Sequence, residues 1–157
     1  MSSDPPRGTA VAHTGLTVSD LERALRFWRD GLGMREAMSQ EKQGGYLEAV
    51  VCEPGAHVRM VHLEFPGGGS RIELFQYLAP EGGRVDGRPA DVGFSHVCVV
   101  CPDVDRLLER LVEAGGSPLG PPADVDTGAN AGGRCVYVRD ADGHVCELFS
   151  PPPGRGV

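Results

Sequence analysis

The sequence has 157 residues, a formal net charge of −7, 40% hydrophobic residues and 24% charged residues. A chain of this length forms about one ordinary domain, and no apolar run approaches the ~20 residues that a membrane-spanning helix needs. The acidic balance argues against nucleic acid as a partner, because phosphate binding requires clusters of Lys and Arg that are not offset nearby. The N-terminal residues also lack a basic start followed by an apolar signal core, so we expect a soluble, cytoplasmic protein.

The chain is predicted to open with a polar, proline-rich stretch, and we expect residues 1–10 to form a flexible lead-in. The first structural module is predicted over residues 11–78. It begins with a strand, because apolar and polar or small residues alternate from Val11 to Val18. This alternation places His13 on the face opposite to the more apolar one.

A helix is predicted directly after this strand. Ser19 and Glu22 have the spacing of a capping box, and apolar residues then recur at helical spacing until Gly33. Trp28 lies within the apolar stripe, so we expect it in the core. The rest of the module is predicted as a strand over 34–42, an ambiguous segment over 46–52 that is compatible with a short helix, and a hairpin of strands 57–65 and 71–78.

Residues 79–91 are polar and rich in Gly and Pro, and they predict a linker to a second module over residues 92–150. The second module repeats a strand, a helix and a closing hairpin, predicted at 92–101, from Pro102, and at 134–139 and 144–150. Residues 151–157, PPPGRGV, predict a flexible tail. We expect the two modules to form one compact domain.

The two modules align with each other as an internal duplication. With His13 placed on His96, the following helices align without a gap, and the closing hairpins align so that Glu73 matches Glu147. A single histidine on a strand is more often structural, but this pairing favours a ligand role. Alternation places the four side chains on faces opposite to the helices. If the two sheets lie edge to edge, all four side chains converge in one cup.

Two imidazoles and two carboxylates suit a divalent first-row metal and leave positions for water or a bidentate substrate. Alternation and the repeat alignment also predict the wall of a substrate pocket, made of Met60, His62, Phe75, Tyr77, Cys98, Cys135 and Tyr137. Two of these residues, His62 and Tyr137, could be either pocket wall or substrate contact. The whole set suits a moderately apolar metabolite.

Four segments resemble the vicinal oxygen chelate superfamily, which includes glyoxalase I, methylmalonyl-CoA epimerase, extradiol dioxygenases and fosfomycin or bleomycin resistance proteins. They are the openings AHTGLTVSDLERALRFWRDGLGM and FSHVCVVCPDVDRLLERLVEAGG and the closings RIELFQYLAP and HVCELFSP. Together they span almost all of residues 11–150. The resemblance implies an α+β fold in which two tandem βαβββ modules form a cupped mixed β-sheet around a metal, with the helices outside. It also implies a homodimer that binds a small-molecule substrate.

The ligand pattern separates the branches of this superfamily. In the glyoxalase I and epimerase branches all four positions supply ligands, and the resemblance assigns them to His13, Glu73, His96 and Glu147. In extradiol dioxygenases iron is held at three positions, which correspond to His13, His96 and Glu147. A carboxylate at position 73 would crowd a site that these enzymes keep open, so the pattern favours the four-ligand branches. The resemblance leaves the metal open among Ni, Co, Zn, Mn and Fe.

The favoured branches imply proton transfer beside a metal-chelated carbonyl, in an isomerase, epimerase or lyase. The resemblance gives Glu147 as the preferred base and Glu73 as the second candidate. Two alternatives stay open, namely an Fe(II) extradiol-type dioxygenase and a non-catalytic small-molecule binding or resistance protein. The sequence shows no cluster of basic residues suited to the phosphates of CoA or the carboxylates of glutathione, so neither substrate is assigned.

Overall fold

The computed structural model describes residues 7–154. Its first module is a four-stranded sheet with a longer helix on one face and a short helix over part of the other. Its elements are β1 (His13–Thr17), α1 (Leu21–Leu25) with a π-helical continuation (Arg26–Gly31), β2 (Arg35–Gln43), α2 (Tyr46–Val51), β3 (His57–Glu64) and β4 (Arg71–Ala79). The strand order is β1-β4-β3-β2, with β1 parallel to β4 and the other pairs antiparallel. The ambiguous segment over 46–52 is therefore a short helix. The predicted lead-in and tail lie partly outside the described residues.

The second module repeats this plan. Its elements are β5 (His96–Val100), α3 (Val104–Glu113), β6 (Ser117–Pro118), β7 (Ala123–Asp124), β8 (Arg134–Arg139) and β9 (Val145–Ser150). The strand order is β5-β9-β8-β6, β7 also pairs with β8, and β5 runs parallel to β9 as β1 does to β4. This repeat confirms the α+β class and the tandem modules.

Two features differ from the predicted architecture. The nine-residue strand β2 has no long counterpart, because Pro118, Pro121 and Pro122 lack the N–H groups that a continuous ladder needs, and two two-residue strands stand there instead. The two modules also form two separate sheets rather than one, since no ladder between β1 and β5 is present in residues 7–154. The predicted fold class stands, and its mixed β-structure is divided between two sheets, one in each module.

Each main helix is capped by an aspartate at the same place in the repeat. The Asp20 carboxylate accepts a hydrogen bond from the backbone N–H of Arg23 at 2.8 Å, and Asp103 accepts one from Arg106 at 3.0 Å. The predicted cap at Ser19 is wrong because its hydroxyl bonds Asp142 of the other module instead. None of the helices within residues 7–154 is both long and apolar enough to cross a membrane.

A single hydrophobic core contains side chains from both modules. Trp28 is fully buried in it, as predicted, and its indole Nε1–H donates to Asp140 of the second module at 2.9 Å. The π-helical segment packs closely on α3, since a Cβ on Gly31 would lie 2.7 Å from Leu111 Cδ2. The helices of the two modules therefore pack against each other, and the other face of each sheet points away from this core.

The sheet of module 1 is covered on both faces. Along β3, Val61 and Leu63 join the shared core, whereas Val58 and Met60 point to the opposite face and pack with Leu47 of α2. This alternation explains why β3 is apolar almost throughout. It also places α2 over part of the face that carries His13.

Asp142, in the turn between β8 and β9, ties the modules together. Its carboxylate accepts hydrogen bonds from Ser19 and from Arg23 of module 1, and also from Arg84 of the linker. Burial by itself would raise the pKa of this carboxyl, but these hydrogen bonds and cations outweigh burial and hold the pKa below its usual value. The group is therefore ionised at neutral pH, as its three partners require.

Candidate metal centre

The first half of the candidate site, which we call half-site 1, consists of His13, His62 and Glu73. His13 on β1 and Glu73 on β4 lie on adjacent parallel strands, and His13 Nε2 is 3.2 Å from Glu73 Oε2. The Glu73 side chain is only 10% exposed, so its charge depends on these neighbours rather than on water. The parallel pairing of β1 with β4 therefore brings the two predicted ligands of module 1 together.

His62 is the third member of half-site 1. It lies directly opposite Glu73 in the β3–β4 hairpin, and its Nε2 is 2.7 Å from Glu73 Oε1. Its ring stands edge-on to that of His13, with centroids 5.5 Å apart, and its Nδ1 is buried without a hydrogen-bond partner. The sequence placed His62 in the pocket wall and missed its contact with the carboxylate. The signal was present, because a hairpin turning at Gly67 and Gly68 pairs positions 62 and 73.

The second half, half-site 2, consists of His96, Cys98, Tyr137 and Glu147. His96 Nε2 lies 3.0 Å from Glu147 Oε2, and the Tyr137 hydroxyl lies 3.4 Å from the same nitrogen. Tyr137 occupies the position opposite Glu147 that His62 occupies opposite Glu73. Its phenol contacts the imidazole rather than the carboxylate, with ring centroids 4.9 Å apart. The side chain of Glu147 is 21% exposed, about twice the fraction of Glu73.

The acid groups around Glu147 are held in their neutral forms. Burial first, and then the nearby Glu147 carboxylate, raise the pKa of Cys98 to about 11. Burial, followed by the same carboxylate, also raises the pKa of Tyr137. At neutral pH Glu147 therefore faces a thiol and a phenol, neither of which adds a negative charge to half-site 2.

The donor set fits a divalent metal. Adjacent ligands at bond lengths of about 2.1 Å and angles of roughly 90° lie about 3 Å apart, which matches the nitrogen–oxygen separations in both His–Glu pairs. Imidazole and carboxylate together suit Zn, Mn, Fe, Co or Ni. The contacts of these side chains stay within their own module, and residues 7–154 contain no group of three or more His, Cys, Asp or Glu arranged to hold a metal. The structure thus places the four predicted ligands as two pairs, and their convergence on one ion stays a prediction.

The predicted pocket residues divide in the same way. Met60, Phe75 and Tyr77 lie together beside α2, and the Phe75 and Tyr77 rings are stacked with centroids 6.3 Å apart. Gln40 of β2, which the sequence analysis did not select, donates from Nε2 to the Met60 sulfur at 3.0 Å. On module 2, Cys135 of β8 pairs with Phe149 of β9.

Two surface depressions of the described chain are lined by other residues. One surface depression lies between the π-helical segment and α3, and another lies around α2 and is lined by Gly45, Glu48, Ala49, Cys52 and Pro54. Neither depression contains a predicted pocket residue. The pocket assignment therefore stays a prediction.

Comparison with known proteins adds a family to this geometry. A relative named 2-epi-5-epi-valiolone epimerase, from an Actinomyces species, is 32% identical over 155 residues, covering 95% of this chain and 83% of the relative. The lactoylglutathione lyase of Haemophilus influenzae is 25% identical over 139 residues, covering 88% of this chain and 90% of that enzyme.

A solved structure shares the fold. It is that of a glyoxalase family protein from Bacillus cereus, which superposes with a TM-score of 0.82 at 21% identity and covers 97% of this chain and 99% of that one. Some proteins of the glyoxalase superfamily bind divalent metals. A family model for the glyoxalase/bleomycin resistance protein/dioxygenase superfamily matches residues 10–148. This chain belongs to that superfamily.

Proposed function

We propose that this protein is a divalent-metal-dependent isomerase, epimerase or lyase that moves a proton on the carbon next to a metal-chelated carbonyl of a small metabolite. The observation that carries the proposal is the pair of His–Glu contacts at equivalent places in the two modules, 3.2 Å in half-site 1 and 3.0 Å in half-site 2. The ligands of the proposed site are His13, Glu73, His96 and Glu147. When bound there, the metal supplies Lewis-acid polarisation of the substrate carbonyl.

The two carboxylates take different parts in this chemistry. Glu73 is held by two imidazoles and is nearly buried, whereas Glu147 contacts one imidazole and is more exposed. A base must reach the carbon next to the carbonyl, so the less restrained carboxylate is better suited to accept the proton. We therefore assign Glu147 as the primary base and Glu73 as the second candidate.

The substrate we favour is a small ketone without several negative charges. The predicted walls are apolar, aromatic or thiol-bearing, and Arg71, two residues from Glu73, is paired with Glu64 at 3.3 Å. Its charge is therefore offset, and a substrate with phosphates or several carboxylates would find little compensation there. This supports an epimerase like the Actinomyces relative over a lyase acting on a glutathione adduct.

A homodimer is part of the same proposal. Half-site 1 and half-site 2 each carry two of four ligands, and they lie on different sheets of the chain. Two copies related by a two-fold axis can place half-site 1 of each copy against half-site 2 of the other, which gives two equivalent four-ligand sites. The linker over residues 79–91 would then join two half-sites of one chain that belong to two different four-ligand sites.

The proposal is tested by solvent exchange. The purified protein, reloaded with Co²⁺, Ni²⁺, Mn²⁺ or Zn²⁺, is incubated in D₂O with 2-epi-5-epi-valiolone or with the methylglyoxal–glutathione adduct. Proton NMR then follows the signal of the proton on the carbon next to the carbonyl, which disappears as deuterium replaces it. We expect metal-dependent exchange with the ketone, and its loss in His13→Ala and His96→Ala. Metal binding without exchange would instead support a binding protein. Oxygen uptake with catechols under ferrous iron would support the dioxygenase alternative.

A further inference from the structure

We propose that His62 is a positioning residue, which fixes Glu73 as a permanent metal ligand and does not itself bind the metal or the substrate. The inference rests on the proposed metal-dependent function. It concerns one contact, between His62 Nε2 and Glu73 Oε1, which lie 2.7 Å apart.

The pairing of β3 with β4 fixes this contact. His62 and Glu73 are direct partners in the antiparallel β3–β4 ladder, so their side chains leave the same face of the sheet side by side. The His62 side chain is 12% exposed and that of Glu73 10%, which leaves little room for either to turn towards solvent. A short polar contact between two nearly buried groups on a regular ladder is well placed to hold the carboxylate in one orientation.

The two ring nitrogens of His62 have different surroundings. Nε2 faces Glu73 Oε1, and Nδ1 is buried without a hydrogen-bond partner. His13, His62 and Glu73 are not arranged as three ligands of one ion, since residues 7–154 contain no group of three or more His, Cys, Asp or Glu that could hold a metal. His62 is therefore a partner of Glu73 rather than a ligand.

This arrangement divides the two oxygens of Glu73. Oε1 is engaged by His62, while Oε2 lies 3.2 Å from His13 Nε2, on the side where the metal would complete the pair. Polar partners of metal ligands orient those ligands and raise metal affinity. Half-site 2 lacks the equivalent contact, because Tyr137 at the same register position contacts His96.

The test measures Co²⁺ affinity and the visible spectrum of bound Co²⁺ in the full-length protein, by competition with a chelator. His62→Leu removes the polar contact with Glu73, whereas His62→Gln keeps a polar N–H group at nearly the same position but loses the imidazole. His57→Leu is a matched control, because His57 lies on the same strand and also contacts a glutamate, Glu41, at 2.7 Å, but outside the site. We expect His62→Leu to weaken affinity about 10- to 100-fold, His62→Gln to stay within about threefold of wild type, and the control to match wild type.

Three results would overturn the inference. Wild-type affinity in His62→Leu would show that Glu73 needs no support from His62. Equal losses in His62→Gln and His62→Leu, with a changed Co²⁺ spectrum, would identify His62 as a ligand. Absence of metal binding by the wild type would remove the proposed function itself, and this inference with it. If His62→Leu does not fold, His62→Asn takes its place in the experiment. The shorter amide cannot reach Glu73, so this variant should bind Co²⁺ as weakly as expected for His62→Leu.

Discussion

Half-site 1 and half-site 2 stand on the same strand frame but differ in the side chain that faces the glutamate across the hairpin. In half-site 1 that residue is His62, which contacts Glu73; in half-site 2 it is Tyr137, which contacts His96 instead. The parallel pairs β1–β4 and β5–β9 have the same register, but Gly15 faces Glu73 where Cys98 faces Glu147. The two modules therefore share the backbone that places a His–Glu pair, while the neighbouring side chains give the two carboxylates different surroundings.

The difference teaches how one repeated unit can supply two roles. A metal ligand benefits from rigid orientation, which His13 and His62 together impose on Glu73. A base must move between its resting contact and the substrate, and Glu147, with one imidazole partner and a weak thiol donor beside it, is less restrained. The asymmetry between the half-sites is thus the structural basis for separating ligand and base.

The first prediction tests the difference between the two carboxylates directly. Glu147→Gln removes the proposed base and should lower the exchange rate about 10²- to 10⁴-fold, measured by NMR in D₂O on metal-loaded protein. Glu73→Gln keeps an oxygen that can bind the metal, so it should cost only about tenfold under the same conditions. If Glu73→Gln costs more than Glu147→Gln, the two roles are exchanged.

The second prediction concerns how the half-sites combine. His13→Ala and His96→Ala should each abolish exchange, because each removes a ligand from every site. If a site joins half-site 1 of one copy to half-site 2 of the other, mixing the two variants with subunit exchange leaves one intact site in each mixed dimer. Random mixing of equal amounts should then restore about a quarter of wild-type activity.

Failure of this complementation has a clear meaning, provided that subunit exchange is verified. Mixed dimers can be isolated by tagging only one variant. No recovered activity in these isolated mixed dimers would show that each site is completed within one chain.

The smallest effect sharpens the comparison by making the half-sites alike. Tyr137→His places an imidazole opposite Glu147, as His62 stands opposite Glu73, and should restrain the base by one charge-assisted hydrogen bond. We expect the exchange rate to fall about tenfold while metal affinity rises or stays constant. Tyr137→Phe is the matched control and should cost less than about threefold, because the hydroxyl contact it removes is long. A faster Tyr137→His enzyme would contradict the division of roles.

Much of this arrangement could be read from local patterns. The alternation of β1 and β5 and the gap-free alignment of their histidines predicted the repeat, and hairpin alignment paired Glu73 with Glu147. These features depend on period and register, which are local properties of a strand. The helix cap was misassigned because Ser19 and Asp20 are both good capping residues, and only the contact of Ser19 with Asp142 decided between them.

Long-range features could not be predicted in this way. Nothing in the sequence of β3 distinguished His62 as pocket wall from His62 as a partner of Glu73, because that depends on how the carboxylate turns towards it. The position of α2 over the half-site 1 face depends on the packing of Leu47 against Val58 and Met60, which are adjacent only after the sheet has formed.

The sequence by itself therefore determined the two modules, the faces of their strands and the identity of the four candidate ligands, because strand period and repeat register are encoded residue by residue. Only the tertiary structure decided that the modules form two sheets packed through their helices, and that His62 and Tyr137 serve different partners. The physical reason is that packing and hydrogen-bond partners are set by distances between segments far apart in the chain, and neighbouring residues carry no direct record of those distances.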